Sequence, residues 1–279
     1  MAYLNFVSKY VLCCFRLVGL FILVVPLILV YSLWVEPNWL RTTQKSIEIA
    51  GIAQGQPIKI VHLSDLHTKT FSRSDYLVEK VNSQKPDIIV ITGDVFDGRW
   101  NDLNYIERYL APLEATYGKY FVYGNNEHNK MVDRQAFSSG MAKGGYVILQ
   151  NSNIELKIRG QTLWLIGVDD PHKRKDNLTK AMQGVGKGPK VLLAHSPEII
   201  DDALRKGVHL VLVGHTHGGQ VRLPGLQNLI VNVPREYEQY LRGLYKVGRT
   251  QMYVNRGIGT TRVPMRLFVP PEIAVLNLQ

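Results

Sequence analysis

His209-Leu210-Val211-Leu212-Val213-Gly214-His215-Thr216-His217-Gly218-Gly219-Gln220 reads as a buried strand that runs into a glycine-rich turn. The apolar run stops at Gly214, where turn chemistry takes over. Extended chain between His215 and His217 puts both imidazoles on the same side of the backbone. The neighbouring glycines permit the backbone angles and close approach that a bound ion or phosphate needs. In isolation, a polar turn that happens to hold two histidines reads the same way. That reading loses ground because other strand ends in the chain stop in the same manner.

Outward from this stretch the pattern alternates strand and helix. Residues 36–57 read as a linker leading into a first short strand near Ser46-Ile47-Glu48-Ile49. Residues 58–63 predict a core strand, and 71–83 a helix with Leu77, Val78 and Val81 on one face. A buried strand at 87–91, a helix over 103–114 and a strand at 119–123 follow. Further strands are expected at 146–149, 154–158, 163–167, 190–194, 209–213, 229–233, 252–255 and 273–278. A first half of β-α repeats and a β-rich second half predict an α/β (α+β) fold, a two-sheet β-sandwich flanked by helices.

Five strand ends carry the polar residues. Ser64-Asp65-Leu66-His67 follows the first core strand, Thr92-Gly93-Asp94-Val95-Phe96-Asp97 the second, and Gly124-Asn125-Asn126-Glu127-His128 the third. Ala194-His195-Ser196-Pro197 and the opening stretch follow later ones. Loops at the C-terminal ends of strands in a layered α/β protein converge on one crevice. Asp65, His67, Asp94, Asn125, His195, His215 and His217 are therefore expected to meet, although they span about 150 residues of chain. A strand-end aspartate alone is an ordinary turn or cap residue, and it is the coincidence at five ends that carries weight. Imidazoles with carboxylate and amide oxygens suit Mn, Fe or Zn better than Mg or Ca. The set is too large for one tetrahedral ion and fits two divalent ions sharing a carboxylate, for which Asp94 on the middle strand is the candidate. Two such ions would clamp a phosphoryl group and deprotonate a bridging water for in-line attack.

In type, order and spacing, Asp65-x-His67, Gly93-Asp94-x-x-Asp97, Gly124-Asn125-x-Glu127, His195 and Gly214-His215-x-His217 resemble the calcineurin-like metallophosphoesterase superfamily. The tail, Asn255-Arg256-Gly257-Ile258-Gly259-Thr260-Thr261 with Pro271-Glu272-Ile273, is similar to the bacterial membrane-associated branch related to the YkuE and YaeI phosphodiesterases. The resemblance implies one ion held by Asp65, His67, Asp94 and His217, and a second held by Asp94, Asn125, His195 and His215. It makes Asp97 a support for its loop. It also exposes a departure, because the family places a histidine directly after the ligand asparagine and this chain has Asn126. An amide donates a hydrogen bond but gives up no proton at neutral pH, and general acid catalysis is worth roughly 10²–10⁴ in rate. Either His128 takes the role, or the substrate has a leaving group acidic enough to depart unaided. Superfamily relatives that cleave UDP-2,3-diacylglucosamine also lack this histidine, which makes a lipid-linked diphosphate one expected substrate class. A non-catalytic scaffold is the alternative of another kind, and the full ligand set argues against it.

Length and composition frame these readings. The chain has 279 residues, 46% of them hydrophobic, which is enough for a sizeable core. A net charge of +10 suits an anionic partner, a phosphorylated substrate or an acidic lipid surface. No aromatic-plus-basic pattern accompanies the charge, which argues against nucleic acid. His172-Lys173-Arg174-Lys175 reads as a solvated loop. Residues 17–35 carry no charge and are long enough to span a bilayer, with Tyr31, Trp34 and Trp39 near the far end. No small-residue cleavage site follows closely, and Cys13-Cys14 precedes the run, so an uncleaved anchor in the inner membrane is expected in place of a signal peptide. Lys9 and Arg16 balance Arg41 and Lys45 across it, leaving the side of the catalytic domain open. The expected organisation is a flank at 1–16, an anchor at 17–35, a linker and first strand at 36–57, and a catalytic domain at 58–279.

Overall fold

A computed structural model of the chain describes residues 15–16, 19–67, 74–97, 103–223, 233–261 and 263–279. In its first half the strands are β1 (Arg41–Ile47), β2 (Ile58–Leu63), β3 (Ile88–Thr92), β4 (Lys119–Val122), β5 (Tyr146–Ile148) and β6 (Ser152–Ile158). The second half has β7 (Gln161–Gly167), β8 (Lys190–Leu193), β9 (Leu210–Val213), β10 (Gly243–Val247), β11 (Thr250–Val254) and β12 (Glu272–Leu278). The helices are α1 (Gly19–Asn38), α2 (Ser74–Asn82), α3 (Leu103–Tyr105), α4 (Arg134–Lys143), α5 (Leu178–Ala181) and α6 (Ile200–Arg205). One sheet runs β1-β12-β2-β3-β4-β5 and the other β10-β11-β9-β8-β7-β6.

The two sheets stack face to face, as expected, and the strands alternate even where every residue is apolar. Ile58 and Ile60 of β2 and Leu210 and Leu212 of β9 point between the sheets. Val61 and Leu63 point outward onto Leu77 and Val81 of α2 and Phe137 and Met141 of α4. On the opposite face, Val211 and Val213 pack on Leu178 of α5 and on Ile200 and Ala203 of α6. A strand covered on both faces needs side chains of one kind, which is why the apolar runs mark the inner strands so clearly.

Several elements depart from expectation. Strand β1 begins at Arg41, five residues before the expected short strand; among the described residues it pairs with β12 alone, and its Thr-Thr-Gln-Lys-Ser stretch carries no apolar signal. The helix expected over 103–114 is α3 plus a π turn at Ile106–Leu110; Ala111 keeps helical angles, and the helix goes no further because Pro112 has no N–H to continue the hydrogen bonding. Strand β10 and helices α4 to α6 had no sequence signal of their own. The strand expected at 229–233 and the start of the helix expected at 71–83 lie outside the described residues, apart from Val233.

Helix α1 is long and apolar enough to cross a membrane, and most of it is exposed, including Leu20, Phe21, Ile22, Leu23 and Leu27. Its C-terminal end is docked on the body. The buried Ser32 carbonyl accepts the Arg266 N–H at 2.8 Å. The buried Glu36 carboxylate accepts the Phe268 N–H at 2.9 Å and also the Val269 N–H.

Candidate metal centre

Strands β2, β3 and β4 are parallel neighbours in one sheet, and β8 and β9 in the other. Their C-terminal ends open on a common crevice, where all seven candidate ligands come together. His67 Nε2 lies 3.2 Å from His217 Nε2, and the two rings stack with centroids 4.9 Å apart. His195 Nε2 lies 3.0 Å from His215 Nδ1 and 3.2 Å from Asn125 Oδ1. Two nitrogens bound to one ion at roughly 2.0–2.1 Å each lie about 3–3.4 Å apart, so each group has ligand spacing.

The two carboxylates sit between the groups. Asp94 turns Oδ1 toward His195 Nε2 at 3.5 Å and Oδ2 toward His67 Nε2 at 3.8 Å. Asp65 Oδ2 accepts the Ser64 hydroxyl at 2.7 Å and the His215 N–H at 2.9 Å. Its other oxygen, Oδ1, is buried with no hydrogen-bond partner among the described residues, 3.5 Å from His217 Nε2. A buried carboxylate oxygen without a donor is costly, and a cation in the crevice would satisfy it. The donor set and its spacing fit a pair of divalent ions.

The backbone is bent to make this arrangement. Asp65, His67, Asp94, His215 and His217 all have left-handed φ, from 41° to 69°. Each such non-glycine residue costs on the order of 1–3 kcal/mol, and strain of this kind collects at functional sites. Gly214 is fixed by contact: a Cβ there would lie 1.9 Å from Ser64 Oγ and 2.3 Å from Asp65 Oδ2.

Electrostatics favour positive charge in the crevice. Burial pushes the Asp65 carboxyl up, partly offset by His195. Asp94 is also buried, yet His195 and His67 hold it well below the ordinary carboxylate range. His195 is raised well above the usual imidazole value because Asp94 and Asp65 outweigh its burial. His217 is driven down by burial and by His67.

Supporting residues orient the ligands. His195 Nδ1 hydrogen-bonds the Thr92 carbonyl at 2.7 Å, which turns Nε2 into the crevice. Buried Glu127 accepts three N–H groups, from Gly124 at 2.8 Å, Asp94 at 2.9 Å and Val95 at 2.8 Å, tying the β3 and β4 loops together. Burial raises its pKa to about 7. Asn255 donates to the His62 carbonyl at 2.8 Å, and a Cβ at Gly257 would lie 2.8 Å from Asp65 Cβ, so the loop after β11 forms one wall. Arg266 is wholly buried and donates to the carbonyls of Arg256, Gly257, Gly259 and Val269, clamping that wall. Glu127 and Arg256 were visible only as parts of motifs. The partners of Asn255 and Arg266 lie far away in sequence or are backbone atoms, and no spacing rule reveals them.

Asn126 is at the crevice: its N–H donates to Asp94 Oδ1 at 2.9 Å, and its amide donates to the Phe96 carbonyl at 3.1 Å and lies 3.4 Å from His67 Nδ1. His128 is engaged with another group. His128 Nε2 lies 2.6 Å from Asp169 Oδ1, and that aspartate also accepts from Gln150. Asp97 is half-buried on the β3 loop. His172, expected in a solvated loop, is only partly exposed; its ring centroid lies 4.7 Å from that of His215 and its Nδ1 is 2.9 Å from Glu198 Oε1.

The sequence profile of the calcineurin-like phosphoesterases (Metallophos) matches residues 58–219, from the first core strand to the paired histidines. The chain is 32% identical over 257 residues to an uncharacterized metallophosphoesterase, YkuE, of Bacillus subtilis (strain 168), covering 89% of each. It is 32% identical over 256 residues to an uncharacterized metallophosphoesterase of Aquifex aeolicus (strain VF5), covering 88% of this chain and 94% of that one. It is 31% identical over 246 residues to a second Bacillus subtilis relative, the uncharacterized metallophosphoesterase YkoQ, covering 86% of this chain and 88% of that one. On these grounds the chain belongs to the calcineurin-like phosphoesterase family and is a metal-dependent hydrolase of phosphoric esters.

Proposed function

We propose that the chain is a membrane-anchored phosphoesterase with two divalent ions, acting on a diester or diphosphate whose leaving group is acidic. The observation that supports it is Asp94, whose two oxygens face different imidazole groups at 3.5 and 3.8 Å. On this reading Asp65, His67, Asp94 and His217 hold one ion, and Asp94, Asn125, His195 and His215 the other. The mixed nitrogen and oxygen set suits Mn, Fe or Zn. When bound, such ions supply Lewis-acid stabilisation of the phosphoryl oxygens and lower the pKa of the attacking water.

The protein's own contribution is positioning. Thr92 and Ser64 fix His195 and Asp65, and Glu127 fixes the loops of Asp94 and Asn125. Asn126 has no proton to release, and its amide already donates to the Phe96 carbonyl. His128 reaches the same place only by giving up Asp169. A leaving group on this side departs on its own acidity, which favours aryl esters and nucleotide diphosphates over alkyl monoesters. A UDP-2,3-diacylglucosamine-type lipid diphosphate is the second reading, favoured by an apolar α1 whose end is fixed on the body close to the crevice wall.

The test is metal content together with turnover of bis-p-nitrophenyl phosphate and release of UMP from a UDP-linked lipid. About two ions per chain are expected, and Asp94→Asn or His217→Ala is expected to lower turnover about 10³-fold and reduce bound metal. Turnover in Asp94→Asn at the wild-type rate refutes the dinuclear reading. UMP release separates the two substrate readings.

A further inference from the structure

A second cleft lies where the chain leaves helix α1. It has a volume of about 470 Å³ and is walled by Arg41, Thr43, Lys45, Arg242, Arg256 and Glu272. Arg41, Thr43 and Lys45 are alternate residues of β1, so one face of an edge strand carries all three. Across from them stand Arg242, at the start of β10, and Arg256, just after β11.

The charges in this cleft are unbalanced. Glu272 is its carboxylate, and its capacity is already taken: it accepts the Arg256 N–H at 3.0 Å, an Arg256 guanidinium N–H at 3.1 Å and the Tyr253 hydroxyl at 2.8 Å. Despite burial, Arg256 keeps this carboxyl below its ordinary range. Arg41, Lys45 and Arg242 have no carboxylate partner among the described residues. Arg242 donates to the Phe268 carbonyl at 3.3 Å, and burial with nearby Arg222 and Arg256 lowers its pKa. Four cations gathered around one carboxylate in an open cleft form an anion site, and guanidinium groups match phosphate oxygens in pairs.

Position says which phosphate. Two residues, Trp39 and Leu40, separate Asn38, the end of α1, from Arg41, and three chain steps reach at most about 10 Å. The headgroup layer on each side of a bilayer core is several Å deep, at roughly 40–45 Å overall against 30 Å of hydrocarbon. Trp34 and Trp39 are both large and exposed at this level, where indoles collect, and the Arg41 guanidinium lies 3.9 Å over the Trp39 ring. With α1 in a membrane, the cleft opens at the depth of the lipid phosphates.

We propose that this cleft binds the phosphate of an anionic phospholipid headgroup, at a site separate from the metal crevice. The proposal rests on the anchored reading of α1 given above. Anionic lipid is drawn to clustered Lys and Arg at the membrane surface, and here the charges line a cleft.

The experiment uses the full chain in neutral detergent, titrated calorimetrically with dihexanoyl phosphatidylglycerol, with dihexanoyl phosphatidylcholine and with inorganic phosphate. Saturable binding of the glycerol lipid is expected, at least about tenfold tighter than the choline lipid. The double variant Arg41→Gln/Lys45→Gln, and separately Arg242→Gln, are expected to weaken it about tenfold each with the thermal midpoint unchanged. Asp94→Asn is expected to bind the lipid as the wild type does, which separates this site from the metal crevice. Equal binding of both lipids, or unchanged affinity in the two cleft variants, overturns the proposal. Inorganic phosphate binding as tightly as the glycerol lipid makes the cleft a free-anion site and also overturns it. The lipid is presented in solution, so this result does not depend on α1 spanning a bilayer, which alkaline carbonate extraction of membranes reads separately.

Discussion

Asn126 stands at the crevice, its N–H on Asp94 Oδ1, but carries no proton to give, and substituting it tests the consequence directly. Asn126→His is expected to raise hydrolysis of alkyl phosphomonoesters about 10²-fold, the low end of what a proton donor supplies, with little change for p-nitrophenyl diesters whose leaving group needs no proton. An equal change for both substrates would mean that the residue acts through binding. His128→Asn is expected to cost less than about tenfold in turnover of the aryl diester, because His128 is bonded to Asp169 and not to the crevice. A different histidine contributes to the loss of stability in acid. His62 is buried against Thr92 Oγ1 at 2.8 Å, and burial lowers its pKa to about 3. Its folded pKa is below its unfolded value, so its contribution is complete above about pH 6.5 and is lost as pH falls toward 3. Between pH 7 and 5 this amounts to about 2 kcal/mol, and urea titrations at the two values, compared with His62→Gln, measure it; an unchanged pH slope in the variant refutes it. The candidate ligands could be read from sequence because each stands one to four residues past an apolar run. The role of Glu127 could not, since its three bonds are to backbone N–H groups of loops that only the fold brings together.

At the level of elements, the loop after β9 depends most on close approach. Gly214→Ala puts a methyl group into Ser64 and Asp65, and overpacking of this kind costs about 1–3 kcal/mol. The expected result is a lower thermal midpoint together with loss of bound metal, since Asp65 must move. Metal binding at the wild-type level in Gly214→Ala would show that Asp65 is not a ligand. Inner strands were legible in the sequence because both of their faces are apolar. Strands β1 and β10 were not: they lie at sheet edges with polar or mixed residues, and β1 falls in the stretch that reads as linker. The helix expected over 103–114 was read too long because its apolar spacing continued past the point where Pro112 ends it.

For the molecule as a whole, the informative joint is that between α1 and the body. Glu36 receives two backbone N–H groups from Phe268 and Val269, and leaving them unmatched costs about 2 kcal/mol. Glu36→Ala is expected to lower the thermal midpoint of the full chain in detergent by about 4–8 °C, whereas Glu36→Gln, which keeps one acceptor oxygen, lowers it by less. Equal melting of wild type and Glu36→Ala would mean that α1 is not docked. No sequence pattern marks this joint, because its partners are 232 and 233 residues apart. The joint works as a bracket and not as a leash. Ser32 is bonded to Arg266, and Arg266 in turn holds the wall that packs on Asp65. With α1 embedded, the reactive centre stands at one fixed height above the bilayer and cannot sweep the surrounding space, so its substrates have to be delivered to that height.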